Sequence, residues 1–250
     1  LGWRWVCGFA VLFGLLMLVL VRRHLPESVP PEKRQPFHPG AIATQYINCL
    51  RHPRFVLLIL VLAMAFAGFS LYIGSASHFI MDILHLEETD FGWMFIPLVG
   101  GLITGSAIAG RLAHRLSRRT FVQTAFGIMA TAAIFNVSYN LLQGDQLRLP
   151  WAVLPLFIYN FGLSFLTPAV TMGAMDFFPH NQGLASSLQS FTQMVVFATM
   201  AGVVVPLLFG SGLYLALGMA IMACLSLLFY FLFRLLHARA VGPEAAPPPR

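Results

Sequence analysis

The chain is 250 residues long, 58% hydrophobic and only 10% charged, with a mean hydropathy of +0.78. A soluble domain carries about 25% charged residues, so this chain has too little polar surface to face water, and lipid must be its solvent. The net charge of +6 does not argue for nucleic acid, because the basic residues sit in short loops between apolar runs and read as topology signals. Cys7, Cys49 and Cys224 show no CxxC or Cys/His spacing, which leaves neither a disulfide frame nor a zinc site; no cofactor is implied.

A spanning helix needs about 20 mainly apolar residues. Seven runs qualify, at 5–21, 55–81, 91–112, 121–142, 151–175, 184–209 and 213–236. The fold class is therefore all-α, a polytopic transmembrane bundle of seven spans. The first run starts almost at Leu1, and Gly2-Trp3-Arg4-Trp5 lacks the basic start and cleavage site of a signal peptide. Without a leading methionine, the expectation is that a segment of a longer parent precedes it. The loop 24–51 holds Pro26, Pro30, Pro31, Pro36 and Pro39 and reads as a linker. Four parts follow: a lone helix at 1–23, a cytoplasmic linker at 24–54, six helices at 55–240, and a Pro/Ala-rich tail at 241–250 expected to be disordered. The runs 55–81 and 184–209 exceed the length needed, so each should tilt or bend.

Arg22, Arg23, Lys33, Arg34, Arg51 and Arg54 flank the long loop, Arg111, Arg115, Arg118 and Arg119 follow the third run, and Arg234, Arg239 and Arg250 follow the seventh. Alternating spans put all thirteen on one side, with only Arg4 and Arg148 opposite, beside the acidic segment 82–90. The positive-inside rule makes the richer side cytoplasmic, which places the C-terminus inside.

Gly101, Gly105 and Ala109 are spaced by four on the third span, as are Ala216, Ala220 and Cys224 on the last. Small residues at that spacing allow close helix approach in lipid. After the third span, Gly110, Arg111, Arg115, Arg118 and Arg119 form a basic loop that suits helix C-terminal carbonyls and anionic headgroups. Asp176 could pair with that cluster or stay solvated. Polar residues within spans are the best pointers to a pathway, among them Tyr72, Asn136, Tyr159, Asn160, Ser164, Gln189 and Gln193. Gln189 and Gln193, four apart, share a face and need either interhelical partners or a wet cavity. Phe66, Phe69 and Tyr72 offer aromatic surface. No Asp, Glu, Lys or Arg lies mid-membrane, so if the parent is proton-coupled its titrating carboxylate is expected outside this chain.

The order Gly-Arg-x-x-x-Arg-x-x-Arg-Arg at 110–119 resembles the loop signature of the major facilitator superfamily, with His114 at the usual acidic position and Ser117 at the usual second glycine. Further stretches carry a closer resemblance. They are Gly2-Trp3-Arg4-Trp5, Leu25-Pro26-Glu27-Ser28, Arg51-His52-Pro53-Arg54-Phe55, Ala67-Gly68-Phe69-Ser70-Leu71-Tyr72-Ile73, Phe91-Gly92-Trp93-Met94-Phe95-Ile96-Pro97 and Gly183-Leu184-Ala185-Ser186-Ser187-Leu188-Gln189. In this order and spacing the chain resembles the Bcr/CflA family of drug-resistance transporters. The resemblance implies a twelve-helix protein of two six-helix halves, our first helix being the sixth and the rest the C-terminal half. It also implies export of small amphipathic drugs in exchange for protons across a bacterial inner membrane. The second, third, fifth and sixth spans would line the cavity, and the fourth and seventh would face lipid. By alternating access, the substrate would meet Phe69, Tyr72, Tyr159, Asn160, Gln189 and Gln193.

Rival classes lack their residues. A seven-helix receptor would need Asp-Arg-Tyr at the third span and Asn-Pro-x-x-Tyr in the last, and a retinal protein a membrane lysine, whereas the sole lysine is Lys33. HExxH, GxSxG and paired membrane aspartates are missing, which argues against an enzyme. Export of a metabolite such as an amino acid or nucleoside stays open.

Overall fold

The computed structural model describes residues 3–25, 39–113, 115–144, 146–179 and 181–241. Gly2, His114, most of the expected linker and the tail 242–250 lie outside the described residues. Every regular element described is helical, and seven helices are long and apolar enough to cross a membrane. Residues 1–43 and 44–250 form separate compact units. The first contains α1 (Trp3–His24), an apolar helix with Arg22, Arg23 and His24 in its last turn.

A short helix not anticipated in the linker, α2 (Pro39–Leu50), leads into the second unit. Its twelve residues are too few to span, which hid it from a reading built on span length. α3 (Pro53–Gly74) begins where His52 Nδ1 accepts the Phe55 N–H at 3.4 Å and proline occupies the first turn, where its missing N–H costs nothing. The long run 55–81 does bend: α3 stops at Gly74 and the chain resumes as a π-helical turn, His78–Ile83. A Cβ on Gly74 would stand 3.1 Å from Val205 Cγ2 and 3.3 Å from Ala201 Cα, so this end of α3 closes tightly on the segment after α7.

A 3-10 turn (Glu88–Phe91), closed by a Glu87/Asp90 capping box, precedes α4 (Gly92–Leu112). Ser117 accepts the Thr120 N–H at 3.2 Å to start α5 (Arg118–Gln143). α6 (Leu154–Met175) opens on Pro155. The second long run is α7 (Gln182–Thr199), a π-turn (Met200–Val204) and the single turn α8 (Val205–Leu207). Pro206 donates no N–H there, and a widened turn relieves the helix ladder. α9 (Gly212–Val241) closes the unit.

α3, α5, α6 and α9 form a four-helix core, with α3 on α9 and α6, and α5 on α6 and α9. α4 lies against α6, and α7 against α3. Lipid removes the hydrophobic drive between helices, so packing and hydrogen bonds must hold them. Tyr159 Oη donates to the Ala65 carbonyl at 2.9 Å, and its ring fits a notch that any side chain at Gly68 would close. Ser226 Oγ donates to the Val61 carbonyl at 2.7 Å, tying α9 to α3. Asn136 Nδ2 donates to Tyr72 Oη at 2.7 Å, and Asn140 Nδ2 to Asn136 Oδ1 at 3.1 Å, a polar chain from α3 into α5.

The expected close approach of α4 is present and its partner is α6. Met94, Leu98, Gly101, Gly105 and Ala109 are its buried stripe, and a Cβ on Gly105 would lie 2.7 Å from the Phe161 carbonyl oxygen. The stripe expected on α9 holds only at Ala216. Ala220 is half-buried and Cys224 exposed, because that face runs beside a groove and the tight contact falls at Gly218 against Leu71.

Candidate functional site

A cavity of about 560 Å³ opens between α3, α4, α5 and α6 at the basic end of the bundle. Phe66 and Phe121 supply aromatic walls, Leu102, Ala109 and Met172 aliphatic ones, and Ser106, Ser164 and Thr167 a few polar groups. Pro168 on its α6 wall has no N–H, which deprives the Ser164 carbonyl of its ordinary helical donor. The Ser164 hydroxyl lies 3.0 Å from the carbonyl oxygens of both Leu102 and Asn160, which share its one proton. The volume lies in the range of about 300–1,000 Å³ for small-molecule pockets, and an apolar lining with sparse polar groups suits an amphipathic guest.

The loop signature borders this cavity. Gly110 and Arg118 line it, while Arg111 and Arg115 are exposed. Asp176 does pair with the cluster, through Arg118 Nη1 at 2.8 Å, bridging the start of α5 to the end of α6. The side chains are 51% and 61% exposed, so the pair is worth no more than about 1 kcal/mol.

The six residues singled out as substrate contacts divide into two groups. Tyr72, Tyr159 and Asn160 are each 1% exposed and lie inside the bundle. Both phenols are engaged as described, and Asn160 Nδ2 donates to the Leu156 carbonyl at 2.7 Å, its Oδ1 being buried without a partner. Phe69 is half-buried, edge-on to Phe66 at 6.1 Å between ring centroids. Gln189 Nε2 donates to Thr171 Oγ1 at 3.0 Å, linking α7 to α6, so this amide has the interhelical partner that was one of its two options. Gln193, one turn on, is half-buried with no hydrogen bond among the described residues. α7 buries only Ala185, Leu188 and Gln189, and presents Phe191, Met194 and Val195 outward. Gly183, in the small-residue stretch that opens α7, has nothing within 4 Å of where a Cβ would stand.

Sequence reasoning missed Leu102, Ser106 and Thr167. Each is unremarkable alone, and only the crossing of α4 on α6 brings them together.

At the start of α3, His52 meets Phe177 in a tilted contact at 4.7 Å and Phe178 edge-on at 5.8 Å, fastening α3 to the α6–α7 loop. Burial, and then the Arg54 charge, hold its pKa below the ordinary 6.5. Burial pushes the Cys49 thiol up, as befits an inert packing residue.

Residues 1–201 match the family model described as Major Facilitator Superfamily. The chain belongs to that superfamily. It is a family of membrane transporters and not of enzymes, which accords with a multi-pass bundle. Among curated relatives, the chain is 24% identical over 199 residues to the multidrug resistance protein MdtM of Salmonella typhimurium, covering 80% of this chain and 47% of that protein. It is 24% identical over 188 residues to the uncharacterized MFS-type transporter YdgK of Bacillus subtilis, covering 74% and 46%. It is 20% identical over 168 residues to MdtM of Escherichia coli K12, covering 67% and 40%. The chain spans about half the length of the curated relatives it matches.

Proposed function

We propose that the chain forms the C-terminal part of a multidrug exporter of the Bcr/CflA kind in a bacterial inner membrane, with its C-terminus in the cytoplasm. It exports small amphipathic drugs by alternating access, in exchange for protons. The observation that carries this reading is the open apolar cavity of about 560 Å³ with its few polar groups, beside the basic loop. Two relatives named as multidrug resistance proteins support it. Residues 1–23 act as the last helix of the preceding half, 24–54 as the cytoplasmic linker, and 55–240 as the six-helix half.

Phe69, Gln189 and Gln193 are in this reading direct substrate contacts beyond that cavity, which none of them lines. Tyr72, Tyr159 and Asn160 stand behind them and set the positions of α3, α5 and α6. The unpaired amide of Gln193 is the group most available to a guest, since Gln189 already has a partner. The coupling carboxylate lies outside the seven spans described here, none of which holds an acid mid-membrane.

The test is accumulation of a phenicol in an efflux-deficient bacterium expressing the complete reading frame. Accumulation should fall, and rise again for Gln193→Ala and Phe69→Ala with the variants present in the membrane at wild-type level. Unchanged phenicol accumulation alongside lowered accumulation of an amino acid or nucleoside would replace drug export with metabolite export.

A further inference from the structure

A second basic feature adjoins the drug-sized cavity, Arg118 and Ala169 lining both. A cleft of about 430 Å³ opens where α3, α5, α6 and α9 end, and Arg118, Arg119, Arg234 and His237 line it. Asp176 neutralises Arg118, but Arg119 and Arg234 have no acidic partner among the described residues. From Phe91 to Val241, Asp176 is the only described acid, so the cleft carries an uncompensated positive charge. Such charge at the rim of a membrane bundle attracts an anion.

The cleft ends on an aromatic contact. Tyr230 lines it, and the Tyr230 ring lies 5.6 Å from that of Phe126, which lines a separate groove of about 440 Å³. That groove runs along the seam of α5 and α9, between Ala130, Ala133 and Val137 on one side and Leu217, Cys224 and Leu227 on the other. From Phe126 to Val137 the seam extends about 16 Å at the helical rise, roughly half of a ~30 Å hydrocarbon core and so one leaflet. Basic cleft and apolar groove thus lie on either side of the Tyr230–Phe126 contact between α5 and α9, in the order of a headgroup and its acyl chain.

We infer that the α5–α9 seam is a binding site for an anionic phospholipid, with its phosphate between Arg119 and Arg234 and one acyl chain in the groove. The charge selects an anionic over a zwitterionic headgroup, and the groove selects a lipid over free phosphate. Phe233 and Tyr230 floor the junction between the two. The inference requires only that the bundle spans a membrane; it is independent of what the protein transports.

Native mass spectrometry of the complete protein, purified in mild detergent with equal phosphatidylglycerol and phosphatidylcholine of the same chain length, tests it. Wild type should retain phosphatidylglycerol preferentially. The double variant Arg119→Gln/Arg234→Gln should lower that retention roughly thirtyfold, as expected for two basic contacts to an anionic headgroup. Arg22→Gln/Arg23→Gln removes the same charge at the edge of the long loop after α1, where neither residue lines the cleft or the groove, and should leave retention within about twofold of wild type. Ala130→Trp fills the groove and should weaken a long-chain lipid while sparing its short-chain analogue. All variants must elute as wild type on size exclusion; substituting glutamine rather than reversing the charge keeps the stems that pack there. Equal retention by the Arg119→Gln/Arg234→Gln variant, equal loss from the Arg22→Gln/Arg23→Gln variant, displacement by inorganic phosphate, or indifference to Ala130→Trp would each overturn the site.

Discussion

Two glycines of α4, Gly105 and Gly100, make opposite predictions for the same substitution. A Cβ on Gly105 would lie 2.7 Å from the Phe161 carbonyl oxygen, 2.9 Å from Ser164 Cβ and 3.0 Å from Phe161 Cα. None of these atoms moves by changing a rotamer, so Gly105→Ala must push α4 away from α6 by about 0.7 Å to reach ordinary contact. Overpacking of this kind costs about 2 kcal/mol. The same movement strains the Ser164–Leu102 hydrogen bond that joins the two helices, worth about 1 kcal/mol. Alanine returns about 1 kcal/mol of helix propensity, which leaves a net loss of about 2 kcal/mol. For a unit of this size the melting temperature should fall by about 4–8 °C. On Gly100 the nearest atom would be Phe157 Cε2 at 3.7 Å, ordinary contact, so Gly100→Ala keeps the propensity gain and should hold or raise the melting temperature. Heating followed by fluorescence-detected size exclusion measures both. Equal effects from the two substitutions would refute the reasoning, because the argument rests on which glycine meets a backbone.

Asn136→Ala removes the donor to Tyr72 Oη and one acceptor for Asn140, and should cost about 2 kcal/mol, with strong non-additivity when combined with Tyr72→Phe in thermal unfolding. Asp176→Asn should change stability by less than about 1 kcal/mol, the pair being exposed; a loss of transport at unchanged melting temperature would then assign the pair to a conformational step. His52 has a folded pKa below its ordinary value, so the folded chain binds fewer protons than the unfolded chain just below pH 6.5. Its contribution is therefore complete above that pH and is lost as pH falls toward the folded pKa, where a protonated Nδ1 can no longer accept the Phe55 N–H. His52→Asn keeps a capping acceptor without a titrating proton, and should flatten stability against pH from about 7 to about 5.

The spans were legible because length and hydropathy are properties of single segments: all seven runs became helices, and the two overlong ones bent where Gly74 and Pro206 sit. Gly101 and Gly105 announced a close contact, yet nothing in their spacing named α6 as the partner. Tyr72, Tyr159 and Asn160 show why a site is harder to read. A polar residue in an apolar run has the same sequence signature whether it faces a pathway or a buried carbonyl. Tyr159 reaches Ala65 across ninety-four residues of sequence, and no periodicity carries that distance. That Asp176 lies within reach of the arginine cluster was legible, because both had to lie at one end of the bundle, but pairing and solvation were equally open. That Arg118 takes it, leaving Arg119 and Arg234 without an acidic partner among the described residues, depends on how the start of α5 meets the ends of α6 and α9.

Drug-driven proton movement is the most direct test of the proposed function. Everted vesicles carrying the complete protein are acidified, reported by a quenched pH dye, and given a pulse of phenicol. Antiport predicts immediate dequenching as protons leave in exchange for drug, diminished for Gln193→Ala. Dequenching that is absent, with the protein in the vesicle membrane and the gradient intact, would contradict proton-coupled export of that drug class.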